Sequence, residues 1–187
     1  MSALIRIANY LPTKKKNLII NSIVKSQFSY CPLIWMFCSR SLNNSVNHIH
    51  ERAMKVAHNN LSHLTFKELL QVTDENTIHQ KNLKYLATEM YKYIHGLSPP
   101  IMNEVFTLRE NKFNLRNFNH FYCSNKHTVK YGTETISFRG PQIWNSLSSE
   151  IKESPSILIF KTLIKAFDMV KCPCRLCKTY IQNLGFI

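Results

Sequence analysis

The chain has 187 residues, 44% of them hydrophobic, which is enough for one sizeable core or two small ones and excludes a disordered or fibrous protein. Its formal net charge of +13 makes a polyanion the expected partner, nucleic acid before an anionic membrane surface. No window reaches the roughly 18 apolar residues of a membrane span. The charge order of MSALIRIANYLPTKKK is the reverse of a signal peptide, so we expect an intracellular protein of the nucleus or cytoplasm.

The first residues have helical periodicity and a concentration of positive charge. One short helix is predicted from the spacing of Leu4, Ile5, Ala8 and Leu11. Thr13 can cap a second helix, whose apolar stripe would be Ile19, Ile20, Ile23, Val24 and Phe28. The basic residues here are candidates for contact with a phosphate backbone, and the alternative is an exposed, solubilising face: Lys14, Lys15, Lys16 and Lys25.

Further helices are predicted up to residue 95. An amphipathic helix over 44–58 would bury Val46, Ile49, Ala53 and Val56 and expose His48, Arg52 and Lys55. A short helix should follow around Phe66, Leu69 and Leu70. Thr77 and Gln80 form a capping box for a longer helix that ends at Gly96. Its inner face would be Leu83, Leu86, Ala87, Met90 and Ile94.

The pattern changes after GLSPP (96–100). Residues 101–127 lack clean periodicity and include a basic loop around NLRNFNHF (114–121). A short β-hairpin is predicted over 128–138, because β-branched and aromatic residues flank a turn at Gly132. A helical turn should follow Pro141, and Ser154 with Pro155 should begin the last helix. The fold class is therefore mainly α, with a small α+β domain.

Several segments, in this order and spacing, resemble the region after the catalytic palm in LINE-type (non-LTR) retrotransposon reverse transcriptases. They are SYCPLIW (29–35), HERAMKVA (50–57), GLSPPIMNEVF (96–106), NLRNF (114–118), TVKYGTETISFRGPQIWNSL (128–147), SPSILIFKTLIK (154–165) and CPCRLCKTYIQNLGFI (172–187). The resemblance spans nearly the whole chain. It implies a helical thumb-like module over 1–95, a basic linker over 96–127, a small α+β domain over 128–170 and a cysteine-containing tail over 171–187.

The resemblance also implies what this chain does not do alone. Such polymerases hold two divalent metal ions, Mg²⁺ in the parent enzyme, with palm aspartates that include an aromatic-x-Asp-Asp turn. This sequence has two aspartates, Asp74 and Asp168, and neither lies in such a turn. We therefore expect a non-catalytic fragment that binds template–primer, element RNA or target DNA and packs against the palm of its parent. An inert relic of a decayed element and a host-recruited interaction module are the alternatives.

The tail contains a cysteine cluster with two interpretations. Cys172, Cys174 and Cys177 can bring their thiolates to one zinc ion, with a fourth ligand from Cys123, His120, His127 or another chain, or they can remain free thiols. Cations and an aromatic ring around them suit a single-stranded nucleic acid: Arg175, Lys178 and Tyr180.

A second basic surface is possible near the predicted hairpin. It would combine cations with aromatic rings, which are more often core residues than stacking platforms: Arg116, Lys130 and Arg139 with Phe118, Phe121 and Tyr131. The histidines are scattered and are interpreted as surface or boundary residues, and Trp35 and Trp144 as core anchors.

Overall fold

The computed structural model describes residues 6, 10–58, 61–109, 121–122, 128 and 132–167. These residues are mainly helical, as predicted, and contain no β-strand; one isolated antiparallel bridge joins Leu108 and Phe121. The chain forms two compact units, Met1–Asn82 (unit 1) and Leu83–Ile187 (unit 2). This division falls at residue 82, inside a helix, and the predicted module boundary at residue 95 stays a prediction.

Unit 1 begins with a continuous helical stretch that changes its winding. Its parts are α1 (Thr13–Ile19), a π-helical turn (Ile20–Lys25) and α2 (Ser26–Phe28). The predicted cap by Thr13 is wrong: Pro12 is the N-cap, and Thr13 is already helical. Proline fits this position because its ring fixes φ and the helix start requires no N–H from it. The helix predicted from Leu4 to Leu11 lies largely outside the described residues.

Three helices follow within unit 1, namely α3 (Pro32–Trp35), α4 (Arg40–Ala57) and α5 (Phe66–Val72). The helix predicted over 44–58 is confirmed as α4, although it begins four residues earlier because Ser39 caps the Leu42 N–H at 3.3 Å. The predicted burial of Ile49 is wrong, since this side chain is 40% exposed. The short helix predicted near Phe66 is confirmed as α5, which a reciprocal capping box between Thr65 and Glu68 initiates.

Two small apolar clusters hold unit 1 together. Ile20 packs against Ala53 and Ala57, which joins the π-helical turn to α4. On another side of α4, Met54 packs against Leu69 and Leu70 of α5. Helix α4 is therefore the centre of the unit, since it contributes to both clusters.

Helix α6 (Ile78–Ile94) contributes its first turn to unit 1 and its remainder to unit 2. The predicted capping box is confirmed: Gln80 N–H donates to Thr77 Oγ1 at 3.2 Å, and Thr77 N–H donates to Gln80 Oε1 at 3.0 Å. The predicted stop at Gly96 is also confirmed. Gly96 has φ +67°, and the next N–H, that of Leu97, donates to the Lys92 carbonyl at 2.8 Å, as in a Schellman motif.

Unit 2 continues with α7 (Met102–Val105), α8 (Ile136–Ser146), α9 (Ser149–Lys152) and α10 (Ile157–Ala166). Its core is a chain of aromatic rings with centroids 4.5 to 6.0 Å apart. In order of contact they are Tyr91, Phe160, Trp144, Phe121, Phe106 and Tyr93. Trp144 is 1% exposed, which confirms it as a core anchor, and Phe121 is 1% exposed, which makes it a core residue rather than a stacking platform.

The second arm of the predicted hairpin is wrong, because residues 136–138 form the start of α8. Gly140, Ile143, Trp144 and Leu147 are buried at helical spacing, and this burial outweighs the β preference of Ile136 and Phe138. The first arm lies largely outside the described residues.

The predicted start of the last helix is also corrected. Ser156, not Ser154, is the N-cap of α10, and its Oγ accepts the Ile159 N–H at 3.3 Å. Ser154 is buried, and its carbonyl accepts a hydrogen bond from the Tyr91 hydroxyl at 2.7 Å. Its position in the core excludes it from the cap.

Candidate nucleic-acid interface

The lysine run at the start of α1 divides between two sides of the helix. Lys14 and Lys15 are exposed, whereas Lys16 is only 6% exposed. The reason is periodicity, since Lys16 lies four residues before the buried Ile20 and therefore on the same stripe. Lys14 and Lys15 are thus exposed to solvent, whereas Lys16 is buried beside Ile20, and contact of these lysines with nucleic acid stays a prediction.

The fourth predicted contact of this region, Lys25, is engaged within the protein. It ends the π-helical turn, and its ammonium group donates a short hydrogen bond to Glu75. An i→i+5 turn places Lys25 nearly in line with the buried Ile20, whereas five residues of α-helix would separate them by about 140°. The π-helical turn therefore directs this lysine inward, and Lys25 is removed from the candidate interface.

Helix α4 presents an exposed polar stripe that contains a further exposed cation, Arg52. Ser41, Ser45, His48 and Arg52 are all exposed and follow one another at spacings of four, three and four. These spacings keep them on one face of the helix, and no carboxylate shares it. The predicted exposure of His48 and Arg52 is confirmed, whereas Lys55 is 31% exposed and pairs with Glu51 at 2.8 Å.

The polar stripe of α4 borders the contact with the first helical stretch. Val56, one turn after Arg52, packs against the cluster of Ile20, Ala53 and Ala57. Arg52 is therefore at the rim of this contact, on the side of α4 that meets the first helical stretch. Together with Lys14 and Lys15 it provides fixed positive charge on the exposed part of unit 1.

The second predicted basic surface is reduced in unit 2. The Arg139 side chain is 11% exposed and donates to Glu134 Oε1 at 2.7 Å and to Gln142 Oε1 at 2.9 Å. It also lies over the Phe138 ring, 5.5 Å from the centroid. Arg139 is thus a local structural residue, because its charge is compensated by Glu134.

The remaining predicted site residues lie outside the described residues. They are Arg116, Lys130, Cys172, Cys174, Arg175, Cys177, Lys178 and Tyr180, with the suggested fourth zinc ligands His120, Cys123 and His127. Zinc binding by the tail stays a prediction. Within the part of the chain that the structure describes, no three His, Cys, Asp or Glu side chains come together as a metal site.

Sequence reasoning missed a charged cluster in unit 1, which we call the Glu75 cluster: Lys25, His50, Glu75 and Lys81. Glu75 accepts from Lys25 at one carboxylate oxygen and from Lys81 at the other, at 2.8 Å. His50, fully buried on α4, places Nε2 3.4 Å from Glu75 Oε2. The signal for His50 was its spacing of three from Ala53 and four from Met54, which places it on the apolar face.

The loop after α5 positions Glu75. Asp74 has the positive φ of 52°, and Glu75 N–H donates to the Leu70 carbonyl at 3.0 Å, which completes a Schellman motif. The carboxyl pKa of Glu75 is held well below its usual range by His50 and by the ammonium groups of Lys25 and Lys81. The pKa of His50 is lowered by burial, which outweighs the neighbouring carboxylate.

No family model, curated protein or solved structure matches this chain. A search of the described residues for a helix of the length and apolarity that a membrane crossing requires found none.

Proposed function

We propose that this chain is a non-catalytic nucleic-acid-binding polypeptide, which acts as the region after the palm does in LINE-type reverse transcriptases. The observation that carries the proposal is the exposure of basic residues in unit 1, namely Lys14 and Lys15 on α1 and Arg52 within the polar stripe of α4. The absence of a carboxylate from that stripe favours a phosphate backbone over a mixed-charge protein surface. The serines and His48 add hydrogen-bond donors between the fixed charges.

Binding through such a surface is electrostatic and independent of sequence. Each phosphate that a lysine or arginine neutralises contributes about 0.9 to the slope of log affinity against log salt on duplex DNA. Lys14, Lys15 and Arg52 together therefore contribute about 2.7, which corresponds to a roughly 40-fold loss of affinity between 50 and 200 mM salt. Basic residues of the tail, including Arg175 and Lys178, would add to this slope.

The test is a salt titration of the full chain by filter binding, on duplex DNA and on single-stranded RNA. A Lys14→Gln, Lys15→Gln, Arg52→Gln variant should lower the duplex slope by about 2.7, whatever the tail contributes. The matched control is the charge-preserving variant Lys14→Arg, Lys15→Arg, Arg52→Lys, which should keep the slope. A wild-type chain that binds neither nucleic acid at low salt would refute the proposal, and an unchanged slope in the glutamine variant would refute this surface.

A second candidate function, docking to another polypeptide such as the palm of the parent enzyme, is favoured by exposed apolar side chains. Leu18, Ile23, Tyr30 and Ile34 of unit 1 are between 64% and 85% exposed. Apolar surface of this kind is typical of protein interfaces or of an aggregation-prone relic. Sedimentation separates these cases: a monomer with cooperative unfolding contradicts the relic, and concentration-dependent aggregation of the isolated chain contradicts a self-sufficient nucleic-acid-binding domain.

A further inference from the structure

The Glu75 cluster joins four segments of unit 1 through one carboxylate. Lys25 comes from the π-helical turn, His50 from α4, Glu75 from the loop after α5 and Lys81 from the first turn of α6. The ring of Phe66, on α5, meets the His50 ring edge-on with centroids 5.7 Å apart. The charged groups that face His50 are therefore Lys25, Glu75 and Lys81, and α5 contributes an uncharged ring.

The Glu75 cluster already carries an excess of positive charge while His50 is neutral. The two ammonium groups already occupy the two oxygens of Glu75, so the cluster carries one net positive charge. A proton on His50 would place a third cation beside a single carboxylate. Because the His50 side chain is 0% exposed, water cannot screen this additional charge.

The hydrogen-bonding capacity of the His50 ring also favours its neutral form, independently of charge. His50 Nε2 lies 3.4 Å from Glu75 Oε2, and neither Nε2 nor Nδ1 has a hydrogen-bond partner among the residues that the structure describes. Neutral imidazole with its proton on Nε2 leaves Nδ1 as an acceptor, whereas imidazolium makes Nδ1 a donor as well. A buried donor of a charged group without an acceptor is more costly than a buried neutral acceptor.

We propose that the Glu75 cluster is an acid-sensitive lock of unit 1, closed while His50 is neutral and opened when His50 takes up a proton. Opening releases the loop after α5 and the start of α6 from α4 and the π-helical turn. The lock is distinct from the proposed nucleic-acid binding, because it shares no residue with it and His50 is buried whereas the polar stripe of α4 is exposed.

The direction in which stability changes with pH follows from the linkage between proton binding and folding. Burial lowers the pKa of His50 in the folded chain, so the unfolded chain binds more protons below about pH 6.5, the ordinary value for histidine. Stability is therefore full above pH 6.5 and falls as the pH decreases toward the folded pKa. One proton raises the unfolding equilibrium constant by at most about tenfold per pH unit in this interval.

The experiment measures urea unfolding of the full chain between pH 7.5 and 5.0, with Trp35 fluorescence in a Trp144→Phe background as the signal of unit 1. His50→Gln should remove one proton from the pH dependence, so its unfolding constant should rise up to tenfold less per pH unit than that of wild type. The control is His48→Gln on the same helix, where the side chain is exposed, and its profile should match wild type. Equal profiles for His50→Gln and wild type would overturn the proposal.

Two further measurements test the proposal even if the His50→Gln variant does not fold. Lys81 is 40% exposed, so Lys81→Gln should fold, and removal of its charge should raise the pKa of His50 and shrink the acid-dependent loss of stability. In the wild-type chain, the His50 ring resonances should titrate in the same pH interval in which the Glu75 amide loses protection from hydrogen exchange. An unchanged loss in Lys81→Gln, or His50 resonances that do not titrate while the amide opens, would overturn the lock.

Discussion

Two tyrosines of α6 allow one substitution to be compared in two environments. Tyr91 is 2% exposed and donates to the Ser154 carbonyl at 2.7 Å, whereas Tyr93 is half-buried and donates to the Phe106 carbonyl at 2.8 Å. Replacement of either by phenylalanine removes one hydroxyl and keeps the ring contacts. The two variants therefore differ mainly in what happens to the carbonyl that loses its donor.

The expected loss of unfolding free energy in each variant depends on how deeply the hydrogen bond is buried. In Tyr91→Phe the Ser154 carbonyl, on a residue 3% exposed, is left without a partner in the core, which costs about 1–3 kcal/mol. In Tyr93→Phe the carbonyl that loses its donor belongs to Phe106, which is 1% exposed, so the contrast rests on the tyrosines. Tyr93 is only half-buried, and water at its position can replace the lost hydroxyl, which brings the loss near the net value of an ordinary hydrogen bond, about 0.5–1.5 kcal/mol. We expect Tyr91→Phe to be the more destabilising change by about 1 kcal/mol.

The assay is urea unfolding monitored by Trp144 fluorescence in a Trp35→Phe background, so that the signal reports unit 2. Equal m-values in the two variants are required, because they show that the same transition is compared. A Tyr93→Phe variant that is as destabilised as Tyr91→Phe, or more so, would refute the argument from burial.

Four other changes test the backbone and the charges. Gly96→Ala should cost about 1–2 kcal/mol through its φ of +67° alone, because no atom lies within 4 Å of the added Cβ. In Gly140→Ala the added Cβ would lie 2.9 Å from Phe106 Cε1. The overpacking should cost about 1–3 kcal/mol, against a gain in helix propensity of about 1 kcal/mol. A second change, Phe106→Leu, should restore part of the lost stability in a double-mutant cycle. Asp74→Gly should raise stability by up to about 1 kcal/mol, since Asp74 has φ 52°, and a lower urea midpoint would contradict the Schellman assignment. Glu75→Gln should be destabilising at neutral pH, and its difference in stability from wild type should fade below about pH 4.5. The reason is that a carboxylate whose pKa is lowered by folding loses its contribution to stability as it is protonated. A difference in stability that does not depend on pH would contradict this.

Local signals were sufficient where the structure depends on neighbouring residues. Thr77 and Gln80 begin α6 and Gly96 ends it, because a capping box and a left-handed C-terminal residue are determined within a few positions of the chain. The mainly helical fold was predictable for the same reason, since amphipathic periodicity covers α4 and α6.

The features that could not be predicted from the sequence depend on contacts between residues far apart in the chain. The charged partner of His50 is Glu75, 25 residues later in the chain, and Lys25 is paired across 50 residues. Sequence alone counted Lys16, Lys25 and Arg139 as available charges, but their environments come from packing and from carboxylates that no spacing rule connects to them. The β preference of residues 136–138 predicts a strand, but the aromatic core on which α8 packs favours a helix there.

The π-helical turn makes the first helical stretch unusually tolerant of a change in length. Deleting one of its outward residues, such as the 64% exposed Ile23, would leave Lys25 four positions after Ile20, and an ordinary α-turn would still keep both on one side. The same deletion inside α4 would rotate every following side chain by 100°. Shortening by a single codon should therefore be accepted between Ile20 and Lys25 and rejected between His50 and Ala57.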